Sequence, residues 1–196
     1  MNLKHLGDAF DHWKGSVIEL VGEMNLRVVN NLQVVPMFTD QEPWPWGPEN
    51  LATYAKLLRR QVNDILKRND PFSNSRNDRE AYFKNLGQND LFLDPDTGIA
   101  GNQNAMKEHV KASEVACLLS ASPRRMLLVY QHKGQREKMR KTHQRVLEGL
   151  REFHAFTYDS GQVGMVFISR DQKRLAEALA RIQVWLGPVA ETRIIR

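Results

Sequence analysis

Asp90-Leu91-Phe92-Leu93-Asp94-Pro95-Asp96-Thr97-Gly98 is the stretch that decides the fold. Three consecutive apolar residues stand between polar brackets, and Pro95 and Gly98 halt any continuation. A short, uniformly apolar run suits a strand covered on both faces, and this one delivers the chain into an acidic loop. Downstream, Arg125 to Tyr130 holds a second such run, Met126-Leu127-Leu128-Val129. Between the two runs, Ser113 can cap a short helix that reaches Leu119. Strand, helix, strand, with an apolar run on each side, predicts a parallel βαβ unit.

The same alternation extends outward. Asp8 is a suitable N-cap, and Phe10, Trp13, Val17, Ile18, Leu20 and Val21 recur at near-helical spacing, which predicts a helix ending near Gly22 to Asn25. Leu26 to Phe38, with Val28, Val29, Leu32, Val34 and Val35, predicts a buried strand frayed by Pro36. Asp40 to Pro48 is a proline-rich loop, packed down by Trp44 and Trp46. Leu51, Tyr54, Ala55, Leu58, Val62, Ile65 and Leu66 define one face of a helix over Glu49 to Arg68. The polar segment 69–78 reads as a mobile loop, followed by a short helix over Arg79 to Leu86.

After the second strand comes a basic helix, Gly134 to Phe153. Ala155 to Tyr158 and Val163 to Ile168 flank Asp159-Ser160-Gly161-Gln162, a hairpin signal. Asp171 caps a last helix that Gly187-Pro188 stops, and Thr192 to Ile195 suits an edge strand. The fold expected is α/β: one layered, Rossmann-like domain over 1–196, opened by a helix within 1–25. Its mixed, largely parallel sheet is flanked by helices and carries a C-terminal β-hairpin.

Composition narrows the function classes. The 196 residues are 41% hydrophobic and 26% charged, which excludes wholesale disorder. The single cysteine, Cys117, excludes an internal disulfide framework and a four-cysteine zinc site; its apolar neighbours predict a packing role. Asp8, Asp11, His12 and Lys14 interrupt what a signal peptide would need, and no apolar run is long enough for a membrane span. A cytoplasmic protein without a membrane partner is therefore expected. Lys+Arg 28 against Asp+Glu 23 gives a net charge of +5, which favours an anionic partner such as nucleic acid or a nucleotide. Lys133, Arg136, Arg140 and Lys141 concentrate that charge on the basic helix, which can lie along a phosphate backbone. The alternative is a solvated amphipathic helix whose inner face is Met139, Val146, Leu147 and Leu150.

In an open α/β sheet, ligands bind beyond the carboxyl ends of the strands. Asp94 and Asp96, one residue apart on a turn leaving a buried strand, can converge on a hard cation such as Mg²⁺ or Mn²⁺. They can equally be turn formers. Asp90 lies at the other end of that strand, roughly 13 Å away at about 3.3 Å per residue, and is not expected to share the cation. Tyr130-Gln131-His132-Lys133 leaves the neighbouring strand. There His132 can act as general base or ligand, or simply bond backbone, and Lys133 can hold a phosphate. In Asp8-x-x-Asp11-His12-x-Lys14, Asp8 and His12 share a helical face at i and i+4 with Asp11 beside them at i+3, either as a metal or substrate cluster or as a cap with an internal ion pair.

The leading expectation is a divalent-metal-dependent hydrolase or nuclease acting on a phosphodiester or nucleotide. Asp94 and Asp96 are its metal ligands, and Asp94, Asp96, His132 and Lys133 its catalytic residues. Asp94-Pro95 after an apolar strand also resembles the Asp-Pro-Pro-Tyr-type motif IV of class I nucleic-acid methyltransferases. The helix, strand, helix and hairpin that follow are similar to the end of that fold. Asp96-Thr97 replaces the second proline and aromatic, and Met37-Phe38-Thr39-Asp40 stands where a glycine-rich loop belongs. The resemblance implies S-adenosylmethionine as cofactor and a target base near Asp94. A third possibility is a non-catalytic module that binds nucleic acid or protein through the basic helix and the tryptophan loop.

Overall fold

The computed structural model describes residues 3–22, 32–39, 46–66, 76–83, 86–100, 106–132 and 139–196. Helices α1 (Ala9–Gly22), α2 (Pro48–Leu57), α3 (Arg76–Phe83), α4 (Ala112–Ala121), α5 (Met139–Glu148), α6 (Gln172–Leu186) and α7 (Ala190–Arg193) surround the strands. The strands are β1 (Gln33–Pro36), β2 (Leu91–Asp94), β3 (Gly98–Ala100), β4 (His109–Lys111), β5 (Met126–His132), β6 (His154–Asp159), β7 (Val163–Ser169) and β8 (Ile194–Ile195). Six of them form a mixed sheet in the order β1-β2-β5-β7-β6-β8; β3 and β4 make a separate parallel pair.

β1, β2 and β5 run parallel, with α4 as the crossover between the two apolar runs, as the sequence predicts. The hairpin is also where the sequence puts it, and β7 inserts antiparallel between β5 and β6, so the parallel character ends at β5. β8 closes the far edge against β6.

Strand alternation sorts the core into two layers. Val34, Phe92, Leu128 and Phe167 face α1, α2 and α6, meeting Val17, Ile18, Tyr54 and Ile182. Val35, Leu93, Val129 and Ile168 face α3, α4 and α5, meeting Tyr82, Val115, Leu119 and Val146. Each fully buried aliphatic or aromatic side chain contributes about 1.5–3 kcal/mol. The cross-strand pair Phe156 and Phe167 stacks with centroids 4.5 Å apart on the first of these faces.

Caps set several boundaries. Asp8 Oδ1 accepts from the N–H groups of Phe10 (2.8 Å) and Asp11 (3.2 Å), starting α1 as expected. Asp171 accepts from the Arg174 N–H at 3.1 Å and starts α6, and Gly187 ends it at φ +56°.

Other boundaries differ from expectation. α2 stops at Leu57 instead of running to Arg68. The Arg60 N–H reaches back to Ala55 O and the Arg59 N–H to Lys56 O, with Arg59 left-handed at φ +55°: a Schellman ending on a non-glycine residue. The freed chain turns back, so that Ile65 bridges Val34 at the outer edge of β1. Helix α3 begins at Arg76, inside the segment read as a mobile loop. Lys111, not Ser113, caps α4, its N–H donating to Glu114 Oε2 at 2.8 Å. Cys117 is exposed, because the buried face of α4 is Ala112, Val115, Leu118 and Leu119, and Cys117 falls opposite it. Trp46 does pack down, stacking on Phe38 at 4.0 Å. Trp44, Asp40 and residues 26–31 of the predicted first strand lie outside the described residues. Among the described residues, no helix is long and apolar enough to cross a membrane.

Candidate functional site

The three parallel strands end on the same side of the sheet. Their register, with Pro36 opposite Asp94 and Leu93 opposite Val129, aligns the segments that leave them. Thr39 after β1, Asp94 to Thr97 after β2, and Tyr130 and His132 on β5 therefore line one cavity of about 570 Å³, roofed by Lys4 to Lys14 of the N-terminal segment. That size suits a small-molecule ligand. Asp94, Asp96 and His132, chosen from sequence, all reach it.

Asp94 is buried and already engaged. Its two carboxylate oxygens lie 2.9 and 3.0 Å from Lys14 Nζ, and the Tyr54 hydroxyl donates to Oδ2 at 2.5 Å. The same ammonium donates to Asp11 Oδ1 at 3.0 Å and sits 4.3 Å from the Tyr130 ring centroid. Burial pulls the Lys14 ammonium down, but Asp94 and Asp11 together outweigh it, so its pKa is raised and it stays charged. Burial pushes the Asp11 carboxyl up despite Lys14, with the nearby Asp94 adding to the rise. The Tyr54 phenol rises well above its ordinary value for the same two reasons, burial and the charge of Asp94, and remains a donor.

Asp96 is half-exposed and accepts from Thr39 Oγ1 at 2.5 Å. His132 packs edge-on against Phe10 (5.7 Å, 82°) and Tyr130 (5.5 Å, 90°). Burial, and then the charge of Lys14, lower its pKa, so the imidazole is neutral near pH 7. Across the mouth, Thr97 hangs from Glu108 O through its N–H (3.0 Å) and hydroxyl (2.8 Å), and Lys107 Nζ donates to Thr39 O at 3.4 Å.

The described lining carries the carboxylates of Asp8, Asp11, Asp94, Asp96 and Glu108 against the ammoniums of Lys4, Lys14 and Lys107. The cavity is therefore acidic in a chain that is basic overall. Among the described residues, no group of three His, Cys, Asp or Glu is placed to hold a metal ion. Asp94 could ligate one only by giving up Lys14.

Of the two readings of the N-terminal cluster, the structure shows the cap with an internal ion pair, Asp8 capping α1 and Lys14 pairing with Asp11, at the border of the cavity. His12 is exposed and takes no part in the lining. Asp90 lies at the opposite end of β2, in a bidentate pair with Arg174 (3.1 and 2.6 Å), and accepts from the Met126 N–H at 2.7 Å. Lys133 and Arg136 lie outside the described residues. Arg140 and Lys141 are exposed in the first turn of α5. Sequence reasoning missed Tyr54, Thr39 and Phe10 as site residues. Lys14 was visible only as part of the Asp8 to Lys14 cluster.

No family model matches the chain, and no curated protein or solved structure matches it.

Proposed function

We propose that the cavity is the active site of a divalent-cation-dependent hydrolase acting on a phosphodiester or nucleotide. The observation that carries this reading is the meeting of Asp96 and His132, from two different strand ends, in one acidic cavity. A phosphate entering a lining of five carboxylates and three ammoniums is repelled unless a cation accompanies it. Mg²⁺ commonly binds through one or two carboxylates and completes its shell with substrate phosphate and water. Asp96 is the protein carboxylate suited to that role, and the cation would activate a water and neutralise the phosphate. Neutral His132 is a proton acceptor at the same cavity. Asp94 keeps Lys14 charged and in place. Lys133, Arg136, Arg140 and Lys141 follow β5 and would hold the rest of a polyanionic substrate.

A thermal-shift series with Mg²⁺ or Mn²⁺, alone and with a dinucleotide, tests the reading on wild type and Asp96→Asn. The expected result is a rise in melting temperature that needs both cation and dinucleotide and disappears in the variant. No shift in wild type overturns it.

One observation favours a second reading. The path β2, α4, β5, α5 and hairpin β6–β7 follows the order of elements at the end of the methyltransferase fold, with Asp94-Pro95 at the cavity wall. A melting-temperature rise with S-adenosylmethionine and none with cation and dinucleotide would select it. Salt-sensitive retention on nucleic acid without either shift would favour a non-catalytic binding module.

A further inference from the structure

We propose that Gln131 is a positioning residue that locks the Asp96 loop and the His132 segment into one frame; its role in catalysis rests on the hydrolase reading. Its side chain is 5% exposed and its amide makes three hydrogen bonds. Oε1 accepts from the Ile99 N–H at 2.8 Å, and Nε2 donates to Thr97 O at 3.1 Å and to His132 O at 3.0 Å. The His132 N–H also donates to Thr97 O, at 2.8 Å. One side-chain amide, with an acceptor and two donors, thus does what a neighbouring peptide does in a ladder. It joins the residue before His132 to the backbone on either side of Gly98, immediately after Asp96 and Thr97.

Gly98 shows how closely the two parts fit. It sits at φ +121°, and a Cβ there would lie 2.4 Å from the carbon, nitrogen and oxygen of the Gln131 amide. The backbone of the acidic loop is therefore pressed against the glutamine with no room for a side chain. Leucine at 131 keeps the volume and loses all three bonds. Glutamate keeps the acceptor and sets a carboxylate against two carbonyl oxygens, a conflict that protonation relieves.

The test uses Gln131→Leu and, as a variant that keeps the shape of the side chain, Gln131→Glu. Amide hydrogen exchange at Ile99 should accelerate roughly tenfold in Gln131→Leu, and by less in Gln131→Glu, where the carboxylate still accepts but is repelled by the Thr97 and His132 carbonyls, while amides inside β2 and β5 keep their protection. The His132 imidazole, followed by NMR, should titrate closer to an ordinary histidine once its segment is released. In Gln131→Glu the loss of Ile99 protection should diminish as the pH is lowered into the carboxylic-acid range. Unchanged Ile99 exchange together with an unmoved His132 titration overturns the proposal. These readouts need no ligand. A wild type that ignores cation and dinucleotide overturns the hydrolase reading separately, whereas the clamp is judged on Ile99 and His132 alone. If wild type does respond, a response of full size in the Gln131 variants overturns the positioning role.

Discussion

Lys14 Nζ stands 2.9 and 3.0 Å from the two carboxylate oxygens of Asp94, tying the first helix to the end of a central strand. Both side chains are almost fully buried, so the pair is desolvated and its worth depends on completeness. Asp11, Tyr54 and the Tyr130 ring support it, and Asp94 Oδ1 has the ammonium as its ionic contact but makes no hydrogen bond among the described residues. The cation that the sequence led one to place on Asp94 is in this sense supplied by the protein itself, whereas Asp96 is half-exposed and accepts from Thr39 at the cavity wall.

Lys14→Met should destabilise the protein by about 3–5 kcal/mol at pH 7, because Asp11 and Asp94 are left as buried carboxylates without their counter-charge. The loss should shrink as the pH falls, since a protonated carboxyl is far less costly to bury. Adding Asp94→Asn should recover part of it. Urea unfolding of the three proteins at pH 7 and pH 5 checks this; equal losses at both pH values would contradict the assignment.

Asp96→Asn should cost less than about 1 kcal/mol, since the side chain is half-exposed and asparagine still accepts from Thr39. A large loss of stability in the same urea experiment would mean that Asp96 is a structural residue rather than a ligand-facing one.

The contrast between these two aspartates marks how far the sequence could be read. Two uniformly apolar runs with a helix between them specify parallel neighbours, because only a doubly covered strand tolerates such a run, and that alone brings Asp94, Asp96 and His132 to one end of the sheet. The hairpin, the Asp8 and Asp171 caps and the terminal edge strand were legible for similarly local reasons. Which aspartate meets Lys14 depends on how α1 crosses the sheet, and no local pattern records that. The early end of α2 is likewise set by tertiary demand: Ile65 is drawn onto the edge of β1, and Arg59 adopts a left-handed turn that its residue type does not advertise. The exposure of Cys117 follows from a helical phase that a short apolar window could not resolve.

His143 should make the protein acid-sensitive. Its ring is 1% exposed, Nδ1 lies 2.8 Å from Thr157 Oγ1, and burial, with Arg140 nearby, lowers its pKa to about 4. Between the ordinary value of 6.5 and about 4, the unfolded chain binds a proton that the folded one does not. Stability is thus fully present above that window and is lost as the pH falls through it, by roughly 3 kcal/mol in total. His143→Gln should flatten the pH dependence of unfolding free energy in this range. A slope as steep as that of wild type would contradict the prediction.

Gly15→Ala should weaken the contact between α1 and α2. A Cβ at residue 15 would lie 2.1 Å from the carbonyl oxygen of Leu57, a backbone atom that cannot rotate away. Overpacking of this kind costs about 1–3 kcal/mol, offset only in part by the better helix propensity of alanine. Gly22→Ala, where a Cβ meets nothing within 4 Å, is the control. Thermal unfolding should separate the two, and equal melting temperatures would rule the clash out.

The place of β7 also bears on how the chain is made. It lies between β5 and β6, yet it is translated after both. A nascent chain that has emerged only as far as β6 carries β5 with one flank of peptide groups unpaired and its apolar residues uncovered on that side. Residues 163–169 act as a keystone, and until they leave the ribosome the growing polypeptide carries an open strand flank that can stick to its neighbours.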